Sequence, residues 1–347
     1  MIGQRLPAEW ESLDAIVLVW PLRDMNLNCI FEDLVQLYEA LVSIVCDYAD
    51  VLIALPETEI DSVRARLELM AIPLDYVHFY PVTQATLSSS CWVRNIGPIV
   101  VKTAEDFKFL DFVQNLDDEN NGLACVNRIG APLQLQNAFP KAKYESHNLM
   151  LKGSSISVDG RGTLLIKNIC VSNKKKNIDS AEGVLIDRLK YLFGVSKVNF
   201  LECGSAGAVY NYLDDLVRFC PNDTIVYTCC DDESDELYDD LKKMEAELIN
   251  LTNSVGSHYR LFSLPWPGVM LNDKNERLPL SYASFLVVND AILVPTYNVL
   301  SDEDALEVMF QAFPEHQIMG VPCDALLECG GSLHRLAVQL PAGIFSV

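Results

Sequence analysis

Near its C-terminus the chain reads Cys329-Gly330-Gly331-Ser332-Leu333-His334-Arg335-Leu336-Ala337-Val338-Gln339-Leu340-Pro341. Two glycines in a row let the backbone turn tightly and approach a ligand closely, because glycine has no Cβ. A short segment then carries one histidine and one arginine. The pattern predicts a turn at Gly330 and Gly331 that brings His334 and Arg335 to a place where an enzyme could hold a nucleophile.

Length and local pattern indicate the fold class but leave the number of domains open. The chain has 347 residues, of which 50% are hydrophobic, enough for one large core or two ordinary domains. Short apolar runs, typical of buried strands, alternate with segments of helical periodicity. That alternation favours an α/β protein over an all-β one.

Charge excludes several classes of partner. The net charge of the chain is −22, and such a surface repels phosphate backbones, so we expect no nucleic-acid binding. We interpret the basic run Lys174-Lys175-Lys176 as a solvated loop. The start of the chain shows no apolar signal region, and no run reaches the roughly 20 apolar residues that span a bilayer. We therefore expect a cytoplasmic protein without a membrane partner.

The cysteines predict neither a disulfide framework nor a metal site. There are 11 of them, scattered without Cys-x-x-Cys pairs, and in a chain of this length that pattern is typical of reduced thiols. Cys229 and Cys230 are adjacent and make poor ligands. We expect no metal and no cofactor.

Periodicity and turn residues predict the individual elements. Strands are expected at residues 15–20, 51–55, 76–80, 98–102, 107–112, 164–166, 198–202, 224–228, 285–288, 291–295 and 317–321. Helices are expected at residues 31–48, 59–70, 181–193, 233–249 and 302–313, with Thr58 and Ser301 as N-caps. Residues 115–121 are polar and predict a loop, and Asn289-Asp290 predicts a hairpin turn.

Several stretches along nearly the whole chain resemble motifs of one family of guanidine-modifying enzymes. They are residues 7–11, 19–21, 92–98, 151–163, 213–219, 295–298, 313–314 and 329–341. Together they are similar to the agmatine deiminases and bacterial-type peptidylarginine deiminases of the pentein superfamily. The resemblance implies a single domain over residues 1–347 with the pentein fold, a five-fold pseudosymmetric α/β propeller of ββαβ units.

That family's chemistry needs four kinds of group. Two carboxylates hold the planar guanidinium cation by charge-assisted hydrogen bonds. A thiolate attacks the guanidine carbon, which is a poor electrophile. A histidine moves protons to the departing ammonia and from the incoming water.

The chain departs from the family pattern at most of these positions. Asn95 stands at the first acid position and lacks the charge that attracts a guanidinium. Tyr212 stands where the family has its histidine, and a tyrosine hydroxyl, with a reference pKa of about 10, is a poor proton shuttle. Asp214 is the acid that remains. Arg335 stands at the place of the nucleophilic cysteine, and a guanidinium cannot attack.

Other pocket candidates follow from the same motifs. Lys152 replaces a glutamate and would repel a cationic substrate, and Ser154 replaces a glycine and adds bulk. Trp92 and Arg94 flank the first acid position, although Trp92 is more typical of core packing than of ligand contact. His334 agrees with the family pattern, and we interpret it as a structural histidine with satisfied hydrogen bonds. His147 and His258 carry no motif and are given no role.

Two hypotheses about these positions remain open. Arg335 presents a guanidinium where the substrate's would lie, so we expect it to pair with Asp214, because an unpaired buried charge is costly. Cys91 and Cys329 lie beside two of the motifs and are the candidates for a relocated nucleophile. A free cysteine is more often a small buried hydrophobe.

The sequence therefore predicts a pseudoenzyme that acts by binding. It would be a scaffold or regulatory subunit that pairs with an active deiminase or with itself, since the family often forms homodimers and an isologous patch can be reused. One alternative is an active C–N hydrolase of agmatine or arginine with relocated catalytic groups. Another is a sensor that binds a guanidine or amine ligand without turnover.

Overall fold

The computed structural model describes residues 3–23, 25, 31–83, 91–113, 139–167, 182–202 and 209–345. Its strands, in chain order, are β1 (Gln4–Arg5), β2 (Leu13–Val19), β3 (Asp50–Leu55), β4 (Val77–Pro81), β5 (Ile99–Thr103), β6 (Phe107–Val113), β7 (Ala142–Met150), β8 (Ile156–Val158), β9 (Thr163–Lys167), β10 (Lys197–Leu201), β11 (Val217–Cys220), β12 (Thr224–Thr228), β13 (Arg260–Leu264), β14 (Leu286–Val288), β15 (Ala291–Thr296), β16 (Gln317–Pro322) and β17 (Ala337–Pro341). Its α-helices are α1 (Phe31–Val45), α2 (Ile60–Leu69), α3 (Val93–Ile96), α4 (Glu182–Phe193), α5 (Tyr238–Asn250), α6 (Asp302–Ala312) and α7 (Asp324–Glu328).

One pairing pattern recurs in five three-strand sets. The first strand of each set runs antiparallel to the second, and the second runs parallel to the third. The sets are β17-β2-β3, β5-β6-β7, β8-β9-β10, β11-β12-β13 and β14-β15-β16. A parallel pair needs a crossover connection, and α1, α4, α5 and α6 supply it in four sets. Those four sets are ββαβ modules.

The middle strand of each set is buried along almost its whole length, as in the fully buried β9 and β12. The sequence of a strand that is covered on both faces is a continuous run of apolar residues, without the alternation of apolar and polar residues seen in half-buried strands. This is why the sequence predicts them well. The hairpin at Asn289-Asp290 is also confirmed, with Asn289 in the left-handed region at φ 49, a conformation that asparagine tolerates better than most residues.

The described contacts divide the chain into two compact units. The single domain over residues 1–347 stays a prediction. The second unit comprises Glu11–Gly153 and Arg335–Val347. In it β17 pairs antiparallel with β2, with Val338 opposite Val17, so the last strand closes the sheet that the early chain begins. Helix α1 buries the apolar face that its periodicity predicts, including Tyr38 and Leu41.

The first unit comprises Met1–Trp10 and Ser154–His334. It contains three of the three-strand sets, each with its crossover helix. The core around β11, β12 and β13 is completed by the buried face of α5, which presents Leu241, Met244 and Leu248. Both units are therefore built from the same α/β pattern.

Of the two predicted N-caps, Ser301 is confirmed in position, whereas Thr58 is wrong. Thr58 lies inside a 3-10 turn (Glu57–Glu59) rather than at the start of α2, because the carbonyl of Pro56 already accepts the backbone N–H of Glu59. Ser301 occupies the N-cap position of α6, but its side chain makes no capping bond. Its hydroxyl lies 2.9 Å from the Tyr282 hydroxyl instead.

The helix predicted at residues 233–249 begins five residues later, at Tyr238. The side chains of Asp232 and Asp235 accept the backbone N–H groups of Ser234 and Leu237. Such local bonds to aspartate compete with the helical pattern. The predicted loop at residues 115–121 and the run Lys174-Lys175-Lys176 lie outside the described residues. In the described part of the chain, no helix is both long enough and apolar enough to cross a membrane.

Candidate functional site

The retained acid lies on a short, firmly held turn in the first unit. A 3-10 turn over Leu213–Asp215 precedes β11, and Asp214 is fully buried, whereas Tyr212 is half-buried. The next residue fixes the turn: the hydroxyl of Ser284 donates to Oδ1 of Asp215 at 3.1 Å, and that of Ser281 donates to its carbonyl at 2.6 Å.

His334 lies between two carboxylates of the first unit. Its Nδ1 is 2.8 Å from Oδ2 of Asp214, and its Nε2 is 3.0 Å from Oε1 of Glu9. The imidazole is fully buried. An ionised carboxylate can only accept, so both contacts are hydrogen bonds when the ring carries a proton on each nitrogen.

Arg218 completes a buried chain of charges. Its Nη2 donates to Oε2 of Glu9, and its Nη1 donates to the carbonyl of Phe285 at 3.1 Å. The guanidinium also lies 4.4 Å from the centre of the Phe285 ring. When His334 carries a proton on each nitrogen, the charge network (Arg218, Glu9, His334, Asp214) alternates cationic and anionic groups, and that alternation offsets the cost of burying them.

The network agrees with the structural role predicted for His334. It also gives Asp214 a partner within its own unit. Arg335 is buried, at 4% exposure, and belongs to the second unit. Its pairing with Asp214 therefore stays a prediction. Because His334 already contacts Asp214, the cost of an unpaired buried carboxylate is no longer an argument for that pairing.

Three motifs meet in the second unit. Asn95 is buried on α3, and Nη2 of Arg94 donates to the side-chain oxygen of Gln339 at 2.6 Å. A Cβ added at Gly153 would lie 2.7 Å from the carbonyl oxygen of Arg94. A Cβ added at Gly97 would lie 3.4 Å from Val338. The first acid motif therefore packs against both the Lys152-Gly153 segment and the strand that follows Arg335.

The remaining candidates differ in exposure. Trp92 and Lys152 are half-buried, and Ser154 is fully buried. Gly330 is exposed, has φ 70, and would meet nothing within 4 Å if it carried a Cβ, whereas Gly331 is buried. The prediction of a tight turn is thus confirmed at Gly330, and the close approach of this backbone to a ligand stays a prediction.

Burial disfavours the described free cysteines as replacement nucleophiles. Cys91 is fully buried, and burial raises its thiol pKa to about 12. Burial also raises the pKa of each of the other described free cysteines, which are Cys46, Cys220, Cys229, Cys230 and Cys323. Only the thiolate is a nucleophile. A raised thiol pKa favours the protonated form of these cysteines at neutral pH.

Cys329 is disulfide-bonded and is not a free thiol. The prediction that the cysteines are reduced is therefore wrong at this position. Within the described ranges, no group of three or more histidine, cysteine, aspartate or glutamate side chains is placed to hold a metal ion.

Two members of the charge network were not predicted as site residues. Glu9 and Arg218 both lie in stretches that resemble the family, but their roles depend on contacts across more than 200 residues of sequence. One signal was available for Arg218: it is the single charged residue in the buried strand β11, and a buried arginine needs a partner.

Comparisons with known proteins agree with this architecture. The sequence pattern of the Porphyromonas-type peptidyl-arginine deiminase family matches residues 5–341. A protein of Shewanella sp. (strain MR-7) named "Putative agmatine deiminase" is 27% identical over 368 residues, which cover 98% of this chain and 95% of that protein.

Solved structures show the same fold. The agmatine deiminase of C. jejuni superposes with a TM-score of 0.81 at 27% identity, covering 98% of this chain and 96% of that one. The agmatine deiminase of Enterococcus faecalis superposes with a TM-score of 0.83 at 20% identity, covering 98% and 96%. The fold is the pentein α/β propeller, as the resemblance implied. With a match over residues 5–341 and the five-set pairing pattern, the chain belongs to the Porphyromonas-type peptidyl-arginine deiminase family.

Proposed function

We propose that this chain is a non-hydrolysing member of its family that acts by binding, as a scaffold or regulatory subunit. The observation that carries the proposal is Arg335, a buried guanidinium at the position where the family pattern has its nucleophilic cysteine. A guanidinium has no lone pair to offer at neutral pH and cannot form the covalent intermediate.

The other positions support the same conclusion. Asn95 is a neutral amide at the first acid position, and Tyr212 replaces the histidine that would move protons. The retained Asp214 contacts His334, so one of its oxygens is already engaged inside the protein. One substitution could reflect a changed mechanism, but the loss of nucleophile, proton shuttle and one acid together leaves no route to the reaction.

An active hydrolase with relocated groups would need another thiolate. The described free cysteines have pKa values raised by burial, and Cys329 is disulfide-bonded. A sensor of guanidines through Asp214 would have to displace His334 or share the carboxylate with it. Both alternatives therefore receive less support than a binding role.

The binding role is tested by sedimentation velocity of the purified chain, alone and mixed with an active agmatine deiminase, followed by thermal shift with agmatine and arginine. We expect a dimer of the chain or a mixed complex, and no ligand-dependent change in melting temperature. A strict monomer in both samples contradicts the scaffold. A melting temperature raised by agmatine, with the rise abolished by Asp214→Asn, identifies the sensor instead.

A further inference from the structure

A cleft of about 330 Å³ opens in the second unit where the parallel strands β2 and β3 end. Trp20 and Pro56, which follow the last residues of these strands, lie in its wall. Phe31 and Val63, from the beginnings of α1 and α2, complete that side of the wall. Crevices outside the carboxyl ends of parallel strands are frequent ligand sites, and the volume suits a small molecule.

Arg23 lines this cleft with a guanidinium that forms no hydrogen bond to any described residue. Its side chain is 78% exposed, and Oε2 of Glu32 lies 3.9 Å from its Nη2, beyond hydrogen-bond length. The guanidinium lies 4.5 Å from the centre of the Phe31 ring, close enough for a cation–π contact. Such a contact uses none of the five N–H donors of an arginine. The guanidinium can therefore still bind an anion through two parallel hydrogen bonds.

Arg66, the other arginine in the lining, is already matched by carboxylates. Its Nε donates to Glu39 and its Nη2 donates to Glu32, both at 2.6 Å. Glu59 is exposed and adds one carboxylate to the lining itself. Arg23 is thus the charged group of the lining that can attract an anion, and Glu59 limits how much negative charge the cleft can accept.

The lining also contains neutral donors. The hydroxyls of Thr58 and Ser62 line the cleft, and neither forms a hydrogen bond to a described residue. Helices α1 and α2 both begin at the cleft, and the partial positive charge at the N-terminus of a helix favours an anion. Trp20 and Val63 add apolar surface for the uncharged part of a ligand.

We propose that this cleft binds a small organic carboxylate, with its charged group on Arg23 and its apolar body against Trp20 and Val63. A planar carboxylate matches the guanidinium fork. A single negative charge is favoured over a dianionic phosphate, because Glu59 lines the cleft, Glu32 lies beside Arg23, and the chain carries a net charge of −22. This site goes beyond the binding role proposed above and holds whether or not the chain hydrolyses guanidines.

The proposal is tested by isothermal titration calorimetry of the full chain with benzoate and with its neutral counterpart, benzamide. We expect benzoate to bind and benzamide not to bind. Arg23→Ala should weaken benzoate binding about tenfold, because it removes charge-assisted hydrogen bonds. Glu59→Gln should tighten it about two- to fivefold, because it removes a like charge.

Arg64→Ala is the matched control for Arg23→Ala. The Arg64 guanidinium also lies over an aromatic ring, 4.7 Å from the centre of Phe79, but Arg64 does not line the cleft. This variant removes the same charge from the same unit, so it should leave the affinity for benzoate almost unchanged. Arg23, Glu59 and Arg64 are all exposed, so all three variants should fold.

Several results would overturn the proposal. Equal affinity for benzamide would remove the electrostatic argument. Equal weakening by Arg23→Ala and Arg64→Ala would show that benzoate responds only to the overall charge. Loss of binding in Lys152→Ala but not in Arg23→Ala would place the ligand at the degenerate catalytic positions. Tighter binding of inorganic phosphate than of benzoate would assign the cleft to phosphate, and absence of heat at millimolar benzoate would show that it binds no such carboxylate.

Discussion

Asp214 and His334 are separated by 120 positions in the sequence, yet Oδ2 of the first lies 2.8 Å from Nδ1 of the second. Both side chains are fully buried. Through Nε2 of His334 the contact extends to Glu9 and from there to Arg218. These four residues lie in stretches that resemble the family. Under the function proposed above, the network serves as a structural support rather than as catalytic machinery.

His334 should be essential for stability rather than for any turnover. We expect His334→Leu to lower the free energy of unfolding by about 3–5 kcal/mol, because it removes the described hydrogen-bond partner of the Asp214 carboxylate in a buried site. Urea unfolding monitored by circular dichroism measures the loss.

A matched control is His78→Gln, which removes the His78–Asp50 pair at 2.7 Å in a partly exposed place. Exposed pairs contribute about 0–1 kcal/mol, so this variant should differ little from the unaltered chain. Equal losses of unfolding free energy in the two variants would show that the buried network stabilises the fold no more than a partly exposed ion pair does.

Gly153 should tolerate no side chain. In Gly153→Ala the new Cβ would lie 2.7 Å from the backbone carbonyl oxygen of Arg94, and backbone cannot move aside cheaply. We expect a loss of about 1–3 kcal/mol in the free energy of unfolding, the range typical of overpacking. Gly183→Ala is the control, since nothing lies within 4 Å of its Cβ and it sits in α4. Alanine there should stabilise the protein by about 0.5–1 kcal/mol. A neutral Gly153→Ala would show that α3 is not packed against this segment.

The described free thiols should react slowly in the folded protein. Burial raises the pKa of Cys91 to about 12 and that of Cys46 and Cys229 to about 11, so less than one part in a thousand is thiolate at pH 7.5. Iodoacetamide labelling of the native chain, followed by peptide mapping, should leave Cys91 unmodified until denaturant is added. Fast labelling of Cys91 would reopen the question of a relocated nucleophile.

Stability should fall at alkaline pH. A thiol whose pKa is raised from 9.0 to about 12 in the folded state, as for Cys91, holds its proton where the unfolded chain has released it. Above about pH 9 the unfolded state therefore binds fewer protons, and the free energy of unfolding falls until the folded pKa is reached. We expect little change between pH 7 and 8 and a decline above pH 9. Cys91→Ala should reduce that slope by up to about 1.4 kcal/mol per pH unit. An unchanged slope would mean that Cys91 titrates normally.

Sequence alone predicted most of the fold, because the middle strands are continuous apolar runs and the crossover helices are amphipathic. It missed strands such as β7 and β13, whose residues are largely exposed or half-buried and so give no apolar run. It also could not show the recurring pairing pattern, since equivalent sets share geometry rather than sequence.

For the site, the motifs supply candidate positions but do not predict how those positions are held. The contact of His334 with Glu9 joins residues 325 positions apart, and no local pattern encodes such a contact. The same is true of the disulfide at Cys329. Charge balance in a buried network depends on tertiary packing, which sequence spacing does not reveal.

The most direct test of the account is release of ammonia from agmatine, arginine and a peptidyl-arginine substrate by the purified chain at high concentration, beside the Asp214→Asn variant and a buffer blank. The account predicts that both proteins are indistinguishable from the blank, because Arg335 cannot replace a thiolate. Ammonia released by the unaltered chain well above the blank, and lost in Asp214→Asn, would contradict the central claim and show that a catalytic nucleophile exists elsewhere in the chain.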